Sequence, residues 1–272
     1  MRFTLPSSEV NSRTANAAKG EAEMEGTVAA PRRYGMLDSL RGAMLMSMIA
    51  YHATWDLVNL FGVRWTWFDS LGGFIWQQSI CWAFILLSGF CAPLGHRPLR
   101  RGLLVLGAGA LVSAATLLGP AASRIHFGVL TFLGICMLLY VLLRRLLCRV
   151  PPAAGLAGSA VLFALTRNVN AGFLGFGEWN LAALPAGLYR GRMSAFFGFP
   201  PSDFYSADYF SLFPWVFLFF SGYFLYRLCE RHDGLRLFST GKWGALGTLG
   251  RHSLLIYLAH QPALYLCLSV VF

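Results

Sequence analysis

The sequence predicts an all-α fold: a polytopic transmembrane helix bundle of about seven spans, with the N-terminus in and the C-terminus out. Three observations predict it. Of 272 residues, 56% are hydrophobic and only 12% charged, whereas charged side chains make up about a quarter of a soluble domain. Beyond residue 35, no polar stretch is long enough to fold around a core of its own. The basic residues cluster between apolar runs, and their density alternates from one connection to the next.

Residues 1–35 carry Glu, Lys, Arg, Ser and Asn without the apolar core of about 7–15 residues that a cleaved signal peptide needs. They read as a mobile cytoplasmic tail ahead of an integral membrane domain over 36–272. Seven apolar segments follow, near 38–61, 71–93, 102–119, 126–147, 153–167, 209–228 and 252–271. Most are close to the roughly 20 residues that cross a hydrocarbon core about 30 Å thick. With the N-terminus inside, the cytoplasmic connections hold Arg97, Arg100, Arg101, Arg144, Arg145, Arg149, Arg227, Arg231, Arg236, Lys242 and Arg251. That is eleven positives against five on the other side, Arg64, Arg124, Arg167, Arg190 and Arg192. The long non-cytoplasmic connection 168–208 is apolar and rich in Gly, Phe and Pro, which predicts a lid that dips into the outer leaflet as a re-entrant or interfacial element.

The net charge of +10 would point a soluble protein towards nucleic acid. Here the positives record topology and meet anionic headgroups, so the expected partner is the lipid bilayer of the inner (plasma) membrane and not nucleic acid. Cys81, Cys91, Cys136, Cys148, Cys229 and Cys267 contain no CxxC pair, so neither a disulfide framework nor a metal site is expected.

The few ionisable groups inside the spans carry the functional signal. The first span, Leu37 to Gly62, holds Asp38, Arg41, His52 and Asp56. His52 comes eleven positions after Arg41, which at about 100° per residue returns it to within about 20° of the same azimuth. Asp56 follows His52 by four residues and Asp38 precedes Arg41 by three, so the four share one stripe. Charged groups in a bilayer cost a few kcal/mol each on insertion scales, so they face cavities or one another. Asp38 and Arg41 suit a snorkelling pair at the cytoplasmic surface. His52, deeper and with a carboxylate at i+4, has the spacing of an oriented base, Asp56 being its orienter. Arg41 lies about 16 Å from His52 along the helix, too far to move its proton, and suits a phosphate nearer the cytoplasm.

The last span places His260 and Gln261 in mid-membrane just before Pro262, which frees a backbone carbonyl and loosens the helix around a cavity. Arg251 and His252 stand at its cytoplasmic entrance. His126 and Asp208, at the outer ends of the fourth and sixth spans, are candidates to line an outer vestibule or to cap helices. Trp55, Trp65, Trp67 and Trp215 read as an aromatic belt.

The motifs LDSLRG, YHATWDL, RIHFGVLTFLG, SADYFSLFPW and LGRHSLLIYLAHQP resemble, in this order, bacterial members of the heparan-alpha-glucosaminide N-acetyltransferase catalytic-domain family. The resemblance runs from about residue 36 to the end. Arg41 and His52, with ten residues between them, and the terminal YLAHQP are also similar to the wider acyltransferase-3 family. The resemblance implies transmembrane acyl transfer, from acetyl-coenzyme A held at the cytoplasmic side to a glycan amine or hydroxyl on the other. Matched by motif, His52 would be the catalytic histidine and Arg41 its basic partner. Thr131 stands where related sequences often have histidine. The lysosomal enzyme has more spans and a large lumenal domain without counterpart here, so its heparan substrate is not carried over.

The expectation is therefore a membrane acyltransferase that acetylates a cell-envelope carbohydrate. His52 acts as general base, Asp56 orients it, Arg41 and Arg251 hold donor phosphates, and His260 and Gln261 complete the cavity. A homo-oligomer is left open. Two rivals stand beside it: a carrier or channel that uses the same stripe as a pathway, and a structural subunit of an envelope-synthesis complex. A retinal protein is disfavoured, since the only lysines, Lys19 and Lys242, lie outside the spans.

Overall fold

The computed structural model describes residues 34–119, 123–239 and 244–272. The mobile tail expected over 1–35 and the expected cytoplasmic Lys242 thus fall outside the described residues, apart from the last two residues of the tail. From Gly35 onwards the chain forms one unit.

Each expected apolar segment is helical. The helices are α1 (Gly35–Asn59), α2 (Leu71–Phe90), α3 (Pro98–Leu117), α4 (Val129–Leu147) and α5 (Pro152–Leu165), then, after an intervening segment, α6 (Arg192–Phe197), α7 (Leu212–Arg231), α8 (Arg236–Ser239), α9 (Gly244–Arg251) and α10 (Ser253–Val271). Five of them, α2, α3, α4, α7 and α10, are long and apolar enough to cross a membrane. The other two expected spans, α1 and α5, fall outside this group for two physical reasons. Helix α1 has 25 residues but carries Asp38, Arg41 and Asp56 within them. Helix α5 has 14 residues, about 21 Å of rise against a hydrocarbon core of about 30 Å. It starts at the Pro151–Pro152 pair, where proline suits the first helical turn, and stops at Thr166.

Residues 168–208 build two 3₁₀ turns, the six-residue α6 and an antiparallel hairpin of β1 (Phe173–Phe176) and β2 (Trp179–Ala183). Gly175 and Gly177, at φ +146° and +57°, supply the backbone that the bulged, tight hairpin requires. The apolar side chains of β2 are exposed, Trp179 at 79%.

Close backbone approach sets the bundle's geometry. A Cβ on Gly42 would lie 2.1 Å from the carbonyl oxygen of Leu246, and one on Gly250 1.8 Å from that of Asp38, so α1 and α9 cross nearly backbone to backbone. Gly109 and Gly134 do the same for α3 against α4, where Gly109 faces Thr131 and Gly134 faces Leu106, and Gly102 packs beneath the side chains of Met137 and Leu138. Small residues are what let helices approach in a membrane, where hydrophobicity alone does not drive association. The pairings run antiparallel: α1 with α2, α3 with α4, α5 with α7. The core fills the space between α2, α4, α5 and α7 with Ile85, Phe132, Cys136, Phe163 and Phe219. The arginine clusters at 97–101, 144–149 and 227–236 consequently share one end of the bundle, and Arg64, Arg124 and Arg167 the other.

Candidate functional site

The polar stripe of α1 meets α10 along a seam. Asp56, fully buried at 0% exposure, accepts a 2.7 Å hydrogen bond at Oδ1 from Gln261 Nε2, and its Oδ2 has no hydrogen-bond partner among the described residues. A buried carboxylate is costly unless hydrogen-bonded, so this amide holds the two helices in register. One turn away, the His52 and His260 rings face each other with centroids 5.0 Å apart.

His260, 9% exposed, binds the carbonyl oxygen of Tyr257 through Nδ1. A carbonyl only accepts, so Nδ1 carries a proton, and in the neutral form of the ring this leaves the lone pair at Nε2. That Nε2 is buried and has no hydrogen-bond partner among the described residues. Pro262, inside the same helix, lacks the N–H that would bond the carbonyl of Leu258. The seam is walled by aromatic rings: Tyr51 lies 6.0 Å from His52, Tyr257 5.3 Å from His260 and Trp76 5.3 Å from Tyr51. Trp76 is itself fixed by a 3.0 Å hydrogen bond to Ser47 Oγ.

The structure thus brings together His52, Asp56, His260 and Gln261, but not in the expected pairing. No hydrogen bond joins Asp56 to His52; the carboxylate is committed to Gln261, and the group with a defined tautomer is His260. The i+4 spacing places Asp56 on the right face, yet a partner from another helix reaches it first. Tyr51 and Tyr257, which frame the pair, carry no signal in sequence beyond adjacency to the histidines.

Arg41 forms an ion pair with Asp38 at 3.1 Å, as expected of a surface pair, and lies within electrostatic reach of Arg101 and Cys91. Arg251 is exposed and donates to Thr248 Oγ1 at 2.9 Å. Both sit at the arginine-rich end, remote from the histidines.

At the opposite end, Asp208 takes the role of a cap. Its Oδ2 accepts from the backbone N–H of Val129 at 2.9 Å, the first residue of α4, whose own N-cap is Gly128. Burial pushes the Asp208 carboxyl up to about 6, against the smaller lowering effect of that N–H. His126 lines a cavity of about 350 Å³ together with Arg124, Phe127, Arg192 and Phe204. Neither His52 nor His260 is among its walls. Two expectations at this end need correction. Trp215 is 7% exposed and packed in the core rather than in a surface belt. Arg167, which the sequence offers only as a topology marker, turns inward, its guanidinium 5.0 Å from the Trp215 ring and hydrogen-bonded to Gln78 Oε1 at 3.1 Å.

Fold and seam together define a helical membrane protein with two histidines, a carboxylate and an amide enclosed between two helices. The chain belongs to the heparan-alpha-glucosaminide N-acetyltransferase catalytic-domain family, whose model matches residues 33–262 and so includes the whole seam from Arg41 to Gln261. The family suggests a membrane acetyltransferase, and implies acetyl-coenzyme A as acyl donor. No curated protein and no solved structure matches the chain.

Proposed function

We infer that the protein moves an acetyl group from cytoplasmic acetyl-coenzyme A to an amine or hydroxyl of a cell-envelope carbohydrate across the plasma membrane. The observation that carries this reading is the His52–His260 pair at the α1–α10 seam, within the segment that matches a transferase family. The arginine-rich end is the cytoplasmic side, where Arg41 and Arg251 contact the donor's phosphates. The exposed hairpin lies in the outer membrane interface.

Acyl transfer needs a base for the acceptor. Neutral His52 takes the proton from the acceptor's amine or hydroxyl as that atom attacks the thioester carbonyl. The tetrahedral intermediate collapses, the carbon–sulfur bond breaks, and the coenzyme A thiolate leaves with the proton returned by the imidazolium. His260, with its lone pair at Nε2, accepts from a second acceptor group and steadies the first. Asp56 and Gln261 act as positioning residues, since their bond sets the distance between the two rings. Nothing observed favours the carrier or channel reading.

Isothermal titration of the purified full chain with acetyl-coenzyme A tests the donor half of this reading. Micromolar binding that weakens at least tenfold in Arg41→Ala is expected. Absence of binding at millimolar donor would remove the basis for acyl transfer.

A further inference from the structure

Acyl transfer needs more than a base. The carbonyl oxygen gains a negative charge as the tetrahedral intermediate forms, and hydrogen-bond donors aimed at it are usually the largest single catalytic contribution. The seam is poor in such donors. Its buried atoms without a hydrogen-bond partner among the described residues are Asp56 Oδ2, His260 Nε2 and Gln261 Oε1, and with the His260 proton on Nδ1 all three are acceptors, which repel an oxyanion. Of the donors, Gln261 Nε2 is spent on Asp56, Trp76 Nε1 on Ser47 Oγ and His260 Nδ1 on the Tyr257 carbonyl.

The phenol hydroxyls that frame the histidine pair are differently placed. Tyr51 on α1 and Tyr257 on α10 make no side-chain hydrogen bond among the described residues. Yet each ring sits beside a histidine, Tyr51 at 6.0 Å from His52 and Tyr257 at 5.3 Å from His260. Both rings pack on one cluster, Leu45, Met48 and Ile80, and both side chains lie within electrostatic reach of Cys81 on α2. They thus converge from two helices on the α2 side of the pair. Asp208, also within electrostatic reach of Tyr257, is committed to the Val129 N–H and bonds neither hydroxyl. The Tyr51 ring is wedged against Phe68 at 5.1 Å and Trp76 at 5.3 Å, and the Tyr257 carbonyl is bound by His260 itself. Donors held this way need no rearrangement at the moment of reaction, which is the condition for strong oxyanion stabilisation.

We propose that Tyr51 and Tyr257 are catalytic residues, whose phenol O–H groups donate to the thioester carbonyl oxygen. The assignment rests on the acetyl-transfer reading and deepens it. As the acceptor atom bonds the carbonyl carbon and gives its proton to His52, the C=O π pair moves onto oxygen, where both hydroxyls meet it. On collapse that pair re-forms the C=O bond. The carbon–sulfur bond breaks with its electrons on sulfur, and the thiolate takes the proton from the imidazolium. The acceptor-rich wall of Asp56 and Gln261 sets the sense of the attack, because the oxyanion turns away from it and towards α2.

The test is isothermal titration of the detergent-purified full chain with trifluoroacetonyl-coenzyme A, whose ketone adds water to give a tetrahedral centre, against acetonyl-coenzyme A, whose ketone stays trigonal. Wild type is expected to bind the tetrahedral analogue about tenfold or more tightly than the trigonal one. Folded Tyr51→Phe and Tyr257→Phe are each expected to lose most of that preference while binding acetonyl-coenzyme A as wild type does. With radiolabelled acetyl-coenzyme A and glucosamine as acceptor probe, each variant is expected to lower kcat about 10²-fold and leave KM for the donor unchanged, a split that loss of packing alone would not give. Equal binding of the two analogues by wild type, or a preference retained in either folded phenylalanine variant, overturns the proposal. The wild-type comparison stands even where a variant fails to fold. Absence of binding of both analogues would instead overturn the acetyl-transfer reading, and the assignment with it.

Discussion

Asp56 has no solvent contact and a single amide donor, which makes the Gln261 bond the most sensitive point of the seam. Gln261→Ala strands a buried carboxylate and is expected to cost about 1–3 kcal/mol, read as a lowered thermal midpoint in detergent. Asp56→Asn/Gln261→Ala, which removes the charge, should recover part of that loss; no recovery would mean that the charge is not the source of the cost. Asp208 gives a pH signature. Burial raises its carboxyl to about 6 in the folded chain, above the ordinary value of about 3.9. The folded state therefore binds the proton more tightly than the unfolded one, and the stability this proton confers is present below about pH 4 and lost as pH rises to about 6. Relative to Asp208→Asn, wild type should lose stability across that window and run parallel above it; a difference that grows with pH above 6 would contradict the assignment. The residues of the seam are legible in sequence because ionisable groups are scarce in the spans. Their pairing is not, since the bond that decides it joins residues 205 positions apart.

At the scale of elements, two glycines of α3 separate close approach from helix propensity. A Cβ on Gly109 would meet the Thr131 backbone at 2.6 Å, whereas one on Gly107 meets nothing within 4 Å. Gly109→Ala should destabilise by about 1–3 kcal/mol through forced separation of α3 and α4. Gly107→Ala should be neutral or stabilising by up to about 1 kcal/mol, because alanine is the better helix former. Thermal unfolding of the two variants side by side checks this, and equal effects would deny the close crossing. Element positions are readable from apolar runs of the right length. Element crossings are not, because a glycine that permits contact and one that faces outward look alike in sequence. The hairpin escapes for a related reason. Its Phe173–Phe176 and Trp179–Ala183 strands hold a single polar side chain, Asn180, so they lack the alternation that marks a strand with one wet face.

For the whole molecule, the antiparallel pairings collect the arginine clusters at one end, so a single sidedness experiment decides orientation. In intact cells a membrane-impermeant maleimide should label Glu178→Cys, in the hairpin turn, but reach the exposed Cys148 only after permeabilisation; the reverse pattern would invert the bundle. Charge bias is the ground on which this orientation is expected, and span number is the harder quantity, because apolarity marks α1 and α5 as spans without revealing the polar content of one and the shortness of the other. The histidine pair lies between the two ends, and the account requires that it serve both. The most direct measurement uses purified protein in liposomes with radiolabelled acetyl-coenzyme A and glucosamine as acceptor probe, comparing wild type with His52→Ala of equal thermal midpoint. The account predicts label in the amine product from wild type and a rate about 10²–10⁴-fold lower for the variant. Transfer by folded His52→Ala at the wild-type rate would contradict it.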